Sequence, residues 1–555
     1  MEPIPFFQWG PDHWLIRAAG NKDRRNLIYS VLLGLLLALF TIGPLVKSGF
    51  SIIDDHERVG WLGSTDRLTL DRIVPVLSGT ELGEIFKTCS NSPCKIGRFR
   101  PIYYSEMVLE TWLFGDWTAG CFALRVLFFA GLLAAIGWAA MSALGPIVGS
   151  GMMIFVASMR FWEGIWAWSL GTSEAVAVPG FALAVTGVVG LVRGWSSAPP
   201  RRLDGAFSRL AIGAAIAFGA KENFAFLWGL TMLILIAALW QRRLGWLGII
   251  VGVGALVFGG LVFGGTLITL ATAGRNGADV YGMTVADRLH HFWRRGPVIW
   301  PDLVVLAGLA LVGVGRRHEH GIGKQLCMAG IVATICGCYA VWESFFYGGL
   351  PKDGRYAFPS ALIQPFALGL LFYAIPRLNA LGKGGPARFL PASRPSVAII
   401  GTLLFLVWPG HYWAFPIRAY VAKRVEQSIQ LENDLSASAA IAAAHPDWPI
   451  LVEAGKPFDY EPAYTLNLWL VRAGIKNPRF LIVNPAIDPA EHDFQGSLIA
   501  RMQDWSVAGL DGKFSPRSKL DRLAVMDGMC FRLAIRVPTA GSCVALPFRP
   551  ASYVG

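Results

Sequence analysis

Long apolar stretches alternate with short polar loops along most of this chain. They are continuous rather than alternating with period two, so they predict helices and not the strands of a barrel. A helix needs about 20 apolar residues to cross a bilayer. In lipid it must satisfy its own backbone hydrogen bonds. The pattern predicts about eleven spans, near 27–48, 122–142, 146–160, 174–193, 206–221, 223–240, 243–269, 297–315, 325–346, 356–375 and 396–415. The first run lacks a small-residue cleavage site and reads as a retained span, not a signal peptide.

Two polar stretches interrupt this pattern. Segment 49–121 contains half-apolar runs such as MVLETWLFGDW, which suit helices lying in the interface with Trp112 and Trp117 at headgroup depth. The tail, 416–555, opens with a polar, Ala-rich helix over 418–444. It continues with strand patterns at 449–455, 478–485 and 530–537, separated by helical patterns. The predicted organisation is a mainly α, polytopic helix bundle over 1–415 followed by a small α/β domain over 416–555.

Composition agrees. The chain of 555 residues is 54% hydrophobic and 15% charged, against about 25% charged in ordinary soluble domains. The net charge of +12 is concentrated in short loops, among them those with Lys22, Arg24 and Arg25; Arg193, Arg201 and Arg202; Arg242 and Arg243; Arg316 and Arg317; Arg377 and Lys383. That distribution is a topology signal, not a nucleic-acid footprint. It predicts a cytoplasmic N-terminus, with 49–121 and the tail together on the outer face. Cys121, Cys327, Cys336 and Cys338 fall in spans, where a thiol behaves as a small hydrophobe. Cys89 with Cys94, and Cys530 with Cys543, fall on the oxidising side and predict two disulfides.

Candidate chemistry gathers at the same outer face. SIIDDHERVG follows the first span and carries Asp54, Asp55, His56 and Glu57. Partial desolvation and a like-charged neighbour suit a carboxylate to general-base work. GRFRPIYY carries Arg98, Arg100, Tyr103 and Tyr104; AKENF carries Lys221 and Glu222; KDGRYAFPS carries Arg355 and Tyr356. Arg and Lys at a membrane face clamp phosphate through charge-assisted hydrogen bonds. Asp54, Asp55 and His56 also offer oxygen and imidazole ligands suited to Mg²⁺ or Mn²⁺. The aromatic run FWEGIWAWSL, 161–170, reads as an interfacial belt, and His290 and His291 as part of an amphipathic surface helix.

The acidic DDHE motif after the first span, the outer Lys221–Glu222 pair, the Arg355–Tyr356 element and the Arg98–Tyr104 stretch together resemble the GT-C superfamily of integral membrane glycosyltransferases. The resemblance covers roughly 27–415. It implies an enzyme of the bacterial inner membrane that takes a sugar from a polyprenyl-phosphate donor and passes it, with inversion, to an envelope glycan, lipid or protein. Asp54 or Asp55 would be the base. Arg98, Arg100, Lys221 and Arg355 would face the phosphate, and Tyr103, Tyr104 and Tyr356 the sugar or phosphate. The motif here lacks the family's common Asp-Glu dipeptide, which leaves open which Asp acts and whether a divalent cation binds. Two other classes are a transporter or flippase of lipid-linked sugars and a membrane-anchored binding or sensory protein. Transporters typically carry related halves and midplane polar residues, and neither pattern is visible in this sequence.

Overall fold

The structure is a computed structural model that describes residues 22–51, 55–79, 99–196, 202–272, 286, 289–290, 300–315, 322–347, 355, 358–381, 416–444, 450–454, 468–475, 480–483, 524–526, 531–536 and 543–544. Helices dominate. They are α1 (Lys22–Ile42), α2 (His56–Leu62), α3 (Leu70–Gly79), α4 (Pro101–Phe114), α5 (Thr118–Leu144), α6 (Pro146–Ser158), α7 (Ser173–Ser196) and α8 (Asp204–Ala220). They continue with α9 (Ala225–Trp240), α10 (Trp246–Thr272), α11 (Trp300–Gly315), α12 (Ile322–Tyr347), α13 (Ile363–Leu381) and α14 (Pro416–Ala444).

Among the described residues, six helices are long and apolar enough to cross a membrane: Asp23–Lys47, Thr118–Leu144, Ser173–Trp195, Glu222–Trp240, Trp246–Leu267 and Gln325–Glu343. By length and composition this is a multi-pass membrane protein. Four other expected spans are helical but fall outside that set: α6, α8 and α11 are shorter than 18 residues, and at α13 the apolar stretch is the shorter Ser360–Ile375. The expected span at 396–415 lies outside the described residues. A count of eleven crossings therefore goes beyond these six.

The core forms around α5, where Phe129, Leu132, Leu133 and Ile136 are buried. The aromatic run 161–170 is a correction to the sequence reading. Trp162 and Trp166 are fully buried and pack against Phe129, with ring centroids 4.8 and 5.4 Å away. They fill the bundle's interior instead of forming a belt, because the chain here coils through a π-turn, Glu163–Ala167, that turns them inward. By contrast, α10 presents Ile250, Val253, Val257 and Leu261 outward at helical spacing, the pattern of a lipid-facing stripe.

α7 and α8 pack closely because both are small-residue helices at their crossing. A Cβ on Gly180 would come within 2.6 Å of the Ala217 backbone nitrogen, and one on Gly213 within 2.5 Å of the Ala184 nitrogen. Small residues let backbones approach where lipid supplies no hydrophobic drive. This contact matters to the site, since α7 begins and α8 ends there.

In the tail, α14 matches the predicted helix, and strands β1 (Ile450–Ala454), β2 (Phe480–Val483) and β4 (Phe531–Arg536) fall within the three predicted ones. β3 (Ala524–Met526) and β5 (Cys543–Val544) were not anticipated. The sheet order is β2-β1-β4-β3, with β5 also on β4. β1 and β2 are parallel and the other pairs antiparallel. The turn of helix at 468–472 lies between β1 and β2, as a parallel crossover requires. It docks on the first loop: Trp469 meets Phe50 at 6.1 Å, and Arg472 pairs with Asp66 at 3.0 Å and Asp116 at 3.1 Å. The expected helix over AEHDFQGSLIARMQDW lies outside the described residues, as does His291.

Candidate active site

Asp55 immediately precedes α2 and is fully buried. Its Oδ2 accepts the backbone N–H of Ser51 at 2.7 Å, and its Oδ1 accepts that of Gly171 at 2.9 Å. Both oxygens are thus oriented by the backbone. The Tyr103 hydroxyl donates to the Gly171 carbonyl at 2.7 Å. Gly171 therefore ties the acidic motif to the first turn of α4.

Two residues further on, Ser173 opens α7. Its Oγ accepts from Arg100 at 3.1 Å. Arg100, the residue before α4, also donates in fork fashion to Glu222, at 2.7 and 2.6 Å. Glu174 carries the next contact: Lys221 Nζ is 2.8 Å from its Oε1, and Arg355 lies within electrostatic range of it. The four residues Gly171 to Glu174 thus gather Asp55, Tyr103, Arg100, Lys221 and Arg355, which come from four distant parts of the chain. At no more than about 3.6 Å per residue, the Cα atoms of Gly171, which binds the Asp55 carboxylate, and Glu174, whose side chain binds Lys221, are at most about 11 Å apart. Tyr104 is buried beside Tyr103, with ring centroids 5.0 Å apart.

Lys221 takes this position because α8 stops there. Its backbone is extended (φ −151°, ψ 129°), and a 3-10 turn over Glu222–Phe224 follows before α9. Asn223, in that turn, donates to Glu343 at 3.1 Å and to the Phe358 carbonyl at 3.0 Å. It joins Glu343, near the end of α12, and Phe358 to the same corner.

Behind Asp55 lies a second charged group. Arg58, on α2, pairs with Glu110 of α4 at 2.5 Å. Arg125 of α5 pairs with Glu106 at 2.7 Å and Glu110 at 2.9 Å, and donates to the Leu170 carbonyl at 3.3 Å. Burial pushes the Glu110 carboxyl up to about 8; the charge of Glu106 adds to this, against the pull of Arg125 and Arg58. Burial acts on Glu106 too, but Arg125 outweighs it and holds that carboxyl below the ordinary range.

No family model, no curated protein and no solved structure matches this chain. The site's meaning therefore rests on its own chemistry.

Asp54, Arg98, Tyr356, Cys89, Cys94 and Cys530 lie outside the described residues, and of Cys543 only the backbone, in β5, is described. Cys121, Cys327, Cys336 and Cys338 are free thiols in helices. Of the Mg²⁺ or Mn²⁺ ligand set, Asp55 and His56 are adjacent, but both Asp55 oxygens already accept backbone N–H groups. Among the described residues no group of three His, Cys, Asp or Glu is placed to hold a metal.

Sequence reasoning missed Ser173, Glu174 and the Arg58–Glu106–Glu110–Arg125 group. One signal was available. LGTSE (170–174) is a polar interval before an apolar span, and by span alternation it falls at the same end as the acidic motif.

Proposed function

We propose that this chain is an inverting glycosyltransferase that moves a sugar from a polyprenyl-phosphate donor to a cell-envelope acceptor. It would work at the outer face of a bacterial inner membrane, with a cytoplasmic N-terminus and its C-terminal α/β domain in the periplasm. The observation that carries this reading is the convergence of a buried carboxylate and three cations on Gly171–Glu174, at one end of an apolar bundle. A donor with a long isoprenoid tail needs lipid for the tail and cations for the phosphate.

The acceptor hydroxyl oxygen attacks the anomeric carbon while the bond from that carbon to the phosphate oxygen breaks. The phosphate leaves with the electron pair. The hydroxyl proton passes to Asp55 or Asp54. One carboxylate suffices because an anionic phosphate leaves without protonation, whereas hydrolysis of a glycoside requires a second carboxyl as acid. Fixed cations act most strongly where charge develops. Arg100 and Lys221 are paired with the carboxylates Glu222 and Glu174, and Arg355 lies within electrostatic range of Glu174, so a phosphate would meet cations already fixed in position. Those carboxylates hold the cations in place before the donor arrives.

The test is purified protein in liposomes with polyprenyl-phosphate sugars and envelope acceptors. Sugar on the acceptor with release of polyprenyl phosphate is the expected result. Movement of intact donor across the bilayer, without release, would replace this reading with a transporter. Donor binding with neither outcome would leave a binding protein.

A further inference from the structure

An apolar space in the described bundle runs from beside the charged corner toward the opposite end. It is a cavity of about 540 Å³ between α5, α7, α9, α12 and α13, within the usual range for small-ligand sites, about 300–1,000 Å³. One end is walled by Phe224, Tyr339 and Pro359, next to the Asn223–Glu343 bond; the other is walled by Arg193, Gln325 and Arg377. Tyr339 and Gln325 lie on the same helix, fourteen residues apart, so the cavity runs for about 21 Å. One leaflet of hydrocarbon is about 15 Å deep, half of a 30 Å core. The slot therefore extends from one membrane boundary past the midplane.

Its charged end has defined chemistry. Arg193 lies nineteen residues beyond Glu174 on α7, about 28 Å away along the axis. That is close to the full hydrocarbon thickness of about 30 Å, so Arg193 reaches the boundary opposite the charged corner. It lies 4.8 Å over the Trp138 ring and 3.5 Å from exposed Asp23. Arg377 donates to Gln325 at 2.7 Å and to the Tyr373 carbonyl at 2.6 Å, and covers the Tyr373 ring at 3.5 Å. Two guanidiniums thus border the mouth of an apolar slot, at the level of headgroups. We infer that this slot binds an anionic phospholipid of the leaflet opposite the charged corner, with one acyl chain inside and its phosphate between Arg193 and Arg377. The inference is independent of the transferase reading, because the donor phosphate belongs at the other end of the same helices.

The test uses the full chain in nanodiscs or detergent, with phosphatidylglycerol and phosphatidylcholine as probes. Native mass spectrometry is expected to find phosphatidylglycerol retained preferentially, and melting temperature to rise more with it. Arg193→Gln combined with Arg377→Gln should weaken apparent phosphatidylglycerol affinity about tenfold while phosphatidylcholine binding changes little. Arg377→Lys keeps the charge and should keep the preference, which separates headgroup binding from folding. Ala329→Phe, which fills the slot, should expel both lipids. Equal binding of the two lipids by the parent protein would overturn the inference, as would a preference that survives the double substitution. Retained lipid lost in Lys221→Ala but kept in the double variant would assign the slot to a lipid headed at the charged corner, and would overturn it too.

Discussion

The two ends of the bundle treat charge in opposite ways. At the Asp55 end, Lys221 and Glu174 are 2.8 Å apart with side chains 3% and 1% exposed; at the other end, Arg193 and Asp23 are 3.5 Å apart with side chains 38% and 63% exposed. The second pair is an ordinary solvated ion pair of small energetic consequence, and its basic neighbours serve topology. The first takes two ions out of water, which costs several kcal/mol per ion unless pairing and hydrogen bonds repay it. Charges this deep in a membrane protein are costly and are characteristically tied to function. Formal charge alone would rank the basic end higher, whereas burial ranks it lower.

The comparison breaks most visibly if Asp55 is dispensable. Asp55→Asn keeps the shape but removes a proton acceptor, and turns an NH₂ toward a backbone N–H where an oxygen accepted one. Transfer should fall about 10²–10⁴-fold, the usual contribution of a general base. Donor binding should remain. Near-normal turnover in both Asp55→Asn and Asp54→Asn would sink the catalytic assignment. Next in size is Glu174→Gln, which removes the buried negative charge 2.8 Å from Lys221. Breaking such a pair costs about 3–5 kcal/mol. The double variant Glu174→Gln with Lys221→Met should regain part of that loss in thermal unfolding. If the double is as unstable as the sum of the singles, the pair is not coupled.

How far the sequence could foresee this differs between the bundle and its corner. The apolar runs predict helices at ten of the expected spans because span length is a property of the chain itself. Lys221 and Asp55 were legible because charge after an apolar run is conspicuous, and Arg100 because it stands with Arg98 before a pair of tyrosines. Gly171 was not, since it acts through its backbone N–H and carbonyl, and any residue carries those groups. Glu174 looks like a helix-start acid until Lys221 is seen against it. Trp162 and Trp166 were misread because aromatic content does not distinguish a ring facing lipid from one facing Phe129; only the turn of the chain does.

A third test sharpens the burial argument through pH. Glu110 is raised to about 8 in the folded state, against about 4.3 unfolded. The folded chain therefore binds an extra proton between those values. Its stabilisation is complete below the unfolded pKa and is lost as pH rises toward 8. Arg58 and Arg125 stay charged throughout, and Glu106, held low by Arg125, is already ionised in this window. Melting temperature should decline from pH 6 to pH 9, with a slope of up to about 1.4 kcal/mol per pH unit for one proton below pH 8. Glu110→Gln, which resembles the protonated form, should flatten that decline. An unchanged slope would mean that another group takes up the proton.

The smallest effect is expected at the basic end, and its smallness carries the argument. Asp23→Asn removes the partner of Arg193 without burying a charge, because both side chains stay in contact with solvent. Arg193 also retains its place over the Trp138 ring, so the guanidinium is not left without a neighbour. An exposed pair of this kind contributes about 0–1 kcal/mol, and salt screens it over about 8 Å at physiological strength. Thermal unfolding in low and high salt should therefore show a loss under about 1 kcal/mol in Asp23→Asn, vanishing as salt rises. Glu174→Gln, measured alongside, should keep most of its loss in high salt, since ions do not enter a corner where the side chains are 3% and 1% exposed. If the two variants lost similar stability with similar salt dependence, the contrast between the ends would fail, and burial would no longer mark which charges serve the site.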